Sequence, residues 1–118
     1  MGDPSKMVLL EAVTKTIKLG NLLELAAESG NILLSGLKDL AKKYPRACSA
    51  ARGLGTHCAF DCDTVERRTR LLDAVKSRGL HLGGSGERSV RFRPTLIFRP
   101  HHANMALDIL DASMKAVN

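Results

Sequence analysis

Aromatic side chains are what this sequence has least of: no tryptophan, one tyrosine and three phenylalanines, 3% in all. Modules that read single-stranded nucleic acid stack bases on aromatic platforms set among basic residues. The net charge of +6 is therefore a charge without platforms, and nucleic-acid binding is not expected. No apolar run approaches the length of a bilayer span, so no membrane insertion is expected. Cysteine is also short, at three residues. An odd number with no secretory signal argues for reduced thiols in an intracellular compartment rather than a disulfide framework. Cys58 and Cys62 would lie about 13 Å apart along a strand, too far for one ion, and His57 would point the other way. No metal is expected. The N-terminus carries no Arg- and Ser-rich transit peptide.

What is present is a leucine-, valine- and alanine-built domain of 118 residues, 44% hydrophobic. That suffices for one modest core. Asp3 and Pro4 open a helix in which Leu9, Leu10, Val13 and Ile17 recur at helical spacing until Gly20. Asn21 and Glu24 suggest a capping box for a second helix, whose stripe runs from Leu22 to Leu40 and ends by Tyr44, before Pro45. Gly30 and Gly36 within it mark close packing. Residues 46–52 read as a basic connector, and Gly53 to Cys62 as one strand with Leu54, Thr56, Cys58, Phe60 and Cys62 on a common face. Asp63 and Glu66 suggest a capping box for a third helix, with Val65, Leu71, Leu72 and Val75 inward, closed by Gly79. Arg67, Arg68, Arg70, Lys76 and Arg78 read as its solvated outer side. Pro100 introduces a last helix, lined by Met105, Ala106, Ile109, Leu110, Met114 and Val117, with His101 and His102 decorating its start.

Between the third and last helices lies the most informative stretch, Leu80 to Phe98. The runs Leu80–Leu82 and Val90–Phe92 flank Gly83-Gly84-Ser85-Gly86, which reads as the turn of a β-hairpin. Val90 and Phe92 face the core; Ser89, Arg91 and Arg93 face away. A strand arginine beside a glycine turn suits a carboxylate, which its planar fork matches bidentately. A plain solvated strand face accounts for the same residues. The expected fold class is α+β, a small, mainly antiparallel sheet with helices packed on one face. No nucleophile, base and orienting group can be assembled from the sequence.

Three runs together, GDPSK at 2–6, RGLGTHCAFD at 52–61 and GLHLGGSGERSVRFRPTLIFRPHHA at 79–103, resemble the C-terminal segment of the class III, pyridoxal-phosphate-dependent ω-aminotransferases of the 4-aminobutyrate type. The resemblance covers essentially the whole chain. It implies that residues 1–118 are the small domain of an aminotransferase, with the large domain that holds the cofactor absent. It also implies that Arg91 helps bind the substrate carboxylate, with Gly83 and Gly84 lining the same cleft. No lysine here matches the family's Schiff-base lysine, so the isolated chain is expected to bind no cofactor and to be inactive alone. The implied partners are the large domain and, in the full-length parent, a second subunit; the implied location is the mitochondrial matrix. The pattern is broken at Leu54, His57, Ser85, Pro100 and Asn104, where the family usually has other residues. A stand-alone, non-catalytic protein-binding module derived from that domain is the alternative.

Overall fold

A computed structural model describes residues 3–117. Four helices and four strands follow in the order α1 (Pro4–Leu19), α2 (Leu22–Lys43), β1 (Ser49–Leu54), β2 (His57–Asp61), α3 (Val65–Ser77), β3 (Gly83–Ser85), β4 (Ser89–Phe92) and α4 (Pro100–Val117). The strands form one sheet in the order β1-β2-β4-β3, every pairing antiparallel. The fold class is α+β, as the alternation of patterns implied.

Asp3 caps α1, its carboxylate accepting from the Ser5 backbone N–H and hydroxyl, and Pro4 stands at the first turn. Gly20 ends that helix. Asn21 does not form the expected capping box: it sits in the left-handed region, φ 50°, and its side chain makes no cap hydrogen bond. Its work is to turn the chain from one helix into the next, a conformation asparagine tolerates better than most. The α3 cap is likewise displaced by one residue. Thr64 accepts from the Arg67 N–H, while Asp63 pairs with the Arg67 side chain at 2.6 Å. At the other end Gly79, at φ 93°, lets Leu80 N–H reach back to the Val75 carbonyl and close the helix.

The largest correction concerns Gly53 to Cys62. It is not one strand but the second half of a hairpin: β1 begins at Ser49, inside the expected connector, and Leu54 pairs directly with His57 around a Gly55-Thr56 turn. Gly55 is left-handed there, φ 58°. Cys58 and Phe60 point into the core, whereas Leu54 is 89% exposed. The second hairpin is also shifted. Gly83-Gly84-Ser85 is the strand β3 itself, paired with Ser89–Arg91, and the turn falls on Gly86-Glu87-Arg88. Leu80 to Leu82 approach the core without joining the sheet, and Thr95 to Phe98 turn rather than extend.

One core cluster joins the inward face of the sheet (Cys58, Phe60, Val90, Phe92) to Leu33 and Leu37 of α2, Leu71 and Val75 of α3, and Leu110 and Met114 of α4. The Phe60 and Phe92 rings, 6.4 Å apart and tilted, form an aromatic pair within it. Helix α1 stands apart from it, with no buried residue.

Candidate functional site

Strand β4 carries the site because of its alternation. Val90 and Phe92 anchor it in the core, so Ser89 and Arg91 must face outward, half-buried. Gly83 lies directly opposite Arg91 in the ladder. A Cβ on Gly83 would stand 2.9 Å from the Arg91 guanidinium, so the absence of a side chain there lets the planar group lie across strand β3. One guanidinium nitrogen donates to the Gly84 carbonyl. The structure thus brings Arg91, Gly83 and Gly84 together, but the two glycines face opposite ways. Gly83 lines the cleft, while Gly84 turns its Cα toward α3 and gives the site only its carbonyl.

The cleft has a volume of about 260 Å³. Arg91, Arg93, His81 and Gly83 give its polar side; Leu82 and Phe98 are among its apolar walls. Among the described residues Arg91 pairs with no carboxylate. A guanidinium with one nitrogen tethered and the rest of its fork free, above a glycine floor, is suited to take a carboxylate edge-on. Beside it on the same outer face, Asp61 is occupied. It accepts from Ser89 Oγ at 2.5 Å and from Arg52 at 3.2 Å, and these bonds, the Ser89 one foremost, hold its carboxyl below the usual range.

The remaining candidates are structural. Cys48, Cys58 and Cys62 are buried and free; burial pushes the Cys48 thiol up to about 12 and Cys62 to about 11, which keeps both protonated. No group of three His, Cys, Asp or Glu that could hold a metal occurs among the described residues. Nor is any described helix long and apolar enough to cross a membrane. His102 accepts from the Arg99 N–H at 3.1 Å and so covers the start of α4; His101 stacks on it with centroids 4.0 Å apart.

Arg67 and Arg68 do not form the solvated face that the sequence predicts: both are half-buried. Arg67 donates to the Val117 carbonyl, tying α3 to the end of α4. Arg68 donates to the carbonyls of Gly86, Ser85 and Ser89 at 2.7, 3.3 and 3.4 Å, across the turn of the site hairpin. The signal for Arg68 was in the sequence: it stands three, four and seven residues before Leu71, Leu72 and Val75, on the inward stripe.

Pyridoxal phosphate, which the resemblance implies, calls for a lysine amine able to lose its proton beside the substrate. Every described lysine, from Lys6 to Lys115, is exposed, and none lines the cleft. Lys43 is fixed to Asp111, which raises its pKa, the wrong direction for a nucleophile. The residues present therefore do not make a site for the cofactor by themselves.

Comparison with known proteins gives this geometry its context. The model of the class-III aminotransferase family matches residues 1–114. The mitochondrial 4-aminobutyrate aminotransferase of Sus scrofa is 48% identical over 109 residues, which is 92% of this chain and 22% of that protein. The 4-aminobutyrate aminotransferase of Dictyostelium discoideum is 42% identical over 98% of this chain, 23% of its own length. Among solved structures, the lysine aminotransferase of M. tuberculosis superposes with a TM-score of 0.86 at 27% identity, over 90% of this chain and 24% of that one. The chain spans less than a quarter of each of these relatives, and it belongs to the class-III aminotransferase family.

Proposed function

We propose that these 118 residues act as the small domain of a 4-aminobutyrate-type aminotransferase subunit, in which Arg91 binds a substrate carboxylate over the backbone of Gly83 and Gly84. The observation that carries this reading is the half-tethered Arg91 guanidinium, without a carboxylate partner among the described residues, at a cleft lined by Gly83. Pyridoxal phosphate supplies the electron sink for amino-group transfer, and a large domain would bring it. The small domain's share is substrate orientation and closure of the cleft. The exposed apolar surface of α1 is where such a large domain would pack, and a second subunit would complete the assembly in the mitochondrial matrix.

The test is a chimera of the Sus scrofa enzyme in which this chain replaces the matching segment. It should convert 4-aminobutyrate and 2-oxoglutarate, and Arg91→Gln should lower kcat/KM by about a hundredfold, the scale at which a charge-assisted bidentate pair counts. A folded chimera whose kcat/KM is indifferent to Arg91→Gln would remove Arg91 from the site. A folded, cofactor-loaded chimera with no activity would favour the binding-module reading instead. The 118-residue chain alone should not transaminate; visible absorbance that survives gel filtration after mixing with pyridoxal phosphate would contradict this.

A further inference from the structure

Strand β3 is only three residues long, lies at the sheet edge and has two glycines, so little of its own sequence fixes it. It is nevertheless the floor of the cleft. Its inner side is held by one side chain. The Arg68 guanidinium fills the place a Gly84 side chain would take, 2.9 Å from that Cβ position, and donates to three carbonyls around the turn. On the other side Arg91 donates to the Gly84 carbonyl. Gly84 is thus clasped between two guanidinium groups, one from α3 and one from β4. Among the described residues no carboxylate pairs with Arg68; one nitrogen, Nη1, makes all three bonds to the hairpin, and Nε is buried without a partner.

We propose that Arg68 is a positioning residue for Arg91. By fixing the turn and the height of β3 it sets where the Gly84 carbonyl stands, and that carbonyl holds one nitrogen of the Arg91 guanidinium. The inference rests on the reading of Arg91 as the carboxylate ligand for its consequence in catalysis, but not for its structural content. All three bonds come from one nitrogen, and a lysine ammonium also offers three donors from one point, so the decisive variants are those that remove every donor.

Two measurements separate the inference from the reading beneath it. In the ligand-free 118-residue chain, the guanidinium nitrogens of isotope-labelled Arg91 should give separate, slowly rotating NMR signals. Arg68→Ala and Arg68→Met should merge them and speed amide exchange in β3 and β4 at least tenfold. Tyr44→Phe, which weakens the distant α2–α4 contact, should leave them unchanged. In the chimera, Arg68→Met should lower kcat/KM about tenfold, mainly through KM. If the Arg91 signals of Arg68→Met match the unsubstituted chain, Arg68 positions nothing and the inference fails, whatever Arg91 does. Signals that merge just as readily in Tyr44→Phe would reduce Arg68 to general stability and overturn it as well. Should the signals respond to Arg68 alone while Arg91→Gln leaves the chimera's kcat/KM intact, the clasp stands and the catalytic reading falls. Arg68→Met retains the length of the stem and removes every donor, so it serves if Arg68→Ala does not fold.

Discussion

Gly30 shows how much one missing methyl group decides. It lies on the buried side of α2, and a Cβ there would fall on the Gly55 carbonyl, so helix and β1–β2 turn meet backbone to backbone. A backbone carbonyl held in a hairpin cannot step aside. Gly30→Ala should therefore cost about 2 kcal/mol or more in chemical denaturation, overpacking outweighing the ~1 kcal/mol that alanine adds to a helix. Gly36 makes the contrast. The nearest atoms its Cβ would meet are Cγ and the two methyls of the half-buried Leu107, a side chain that can rotate, so Gly36→Ala should stay within about 1 kcal/mol of neutral. Equal losses at the two positions would show that the Gly55 contact is not a hard stop. The sequence marks both glycines as points of close approach, but it cannot say whether backbone or side chain lies opposite, and that difference sets the size of the effect. The thiols follow the same logic of burial. Cys48 and Cys62, protonated and enclosed, should resist alkylation at pH 7 until the chain is unfolded; rapid native labelling would contradict their placement.

Elements were legible where a long helical period had room to repeat and illegible where a turn was short. All four helices fall close to the places their apolar spacing and Gly or Pro stops indicate. The first hairpin was hidden because a two-residue turn keeps the apparent alternation running while reversing which parity faces inward. Gly53 pairs with Cys58 and Leu54 with His57, so Leu54 shares the outer face although Cys58 and Phe60, of the same parity, are core. The second is hidden for a different reason: a strand needs backbone pairing rather than side chains, and Gly83-Gly84 supplies only backbone. Between elements, the α2–α4 contact is latched by Tyr44, whose hydroxyl donates to Asp111 at 2.7 Å, with Lys43 at 3.1 Å. The tyrosine bond first, then the lysine, holds the Asp111 carboxyl below its ordinary value. A carboxyl depressed in the folded state stabilises above its unfolded pKa, about 4, and that contribution disappears as pH falls through the lower folded value. Asp111→Asn should lower the Tm at pH 7 and shrink the fall in Tm between pH 7 and pH 3. An unchanged acid slope would mean the latch contributes nothing to the pH dependence; Asp61, shifted the same way, would carry it.

At the scale of the whole molecule the anomaly is α1. Its apolar residues recur at helical spacing, yet nothing among the described residues covers them: Met7, Val8, Leu9 and Leu10 are each more than 60% exposed and Val13 is 54% exposed. The molecule measures 50 × 29 × 24 Å in consequence, with the helix projecting from the core. Periodicity states which residues share a face but not whether the partner for that face belongs to the same chain. The site is incomplete in the same sense, since the cleft offers Arg91 but no lysine. An isolated helix of 16 residues is marginal in water, and a contiguous apolar face seeks cover. The chain alone should therefore associate as its concentration rises, seen as an increasing weight-average sedimentation coefficient, while α1 amides exchange faster than those of α2 at low concentration. Replacing Leu9 and Val13 with glutamate should abolish the association and leave the thermal unfolding of the core in place, because neither side chain reaches the core cluster. A monomer at every concentration, with α1 protected as well as α2, would mean that the helix is stable without a partner, and α1 would then lend the proposed packing of a large domain no support.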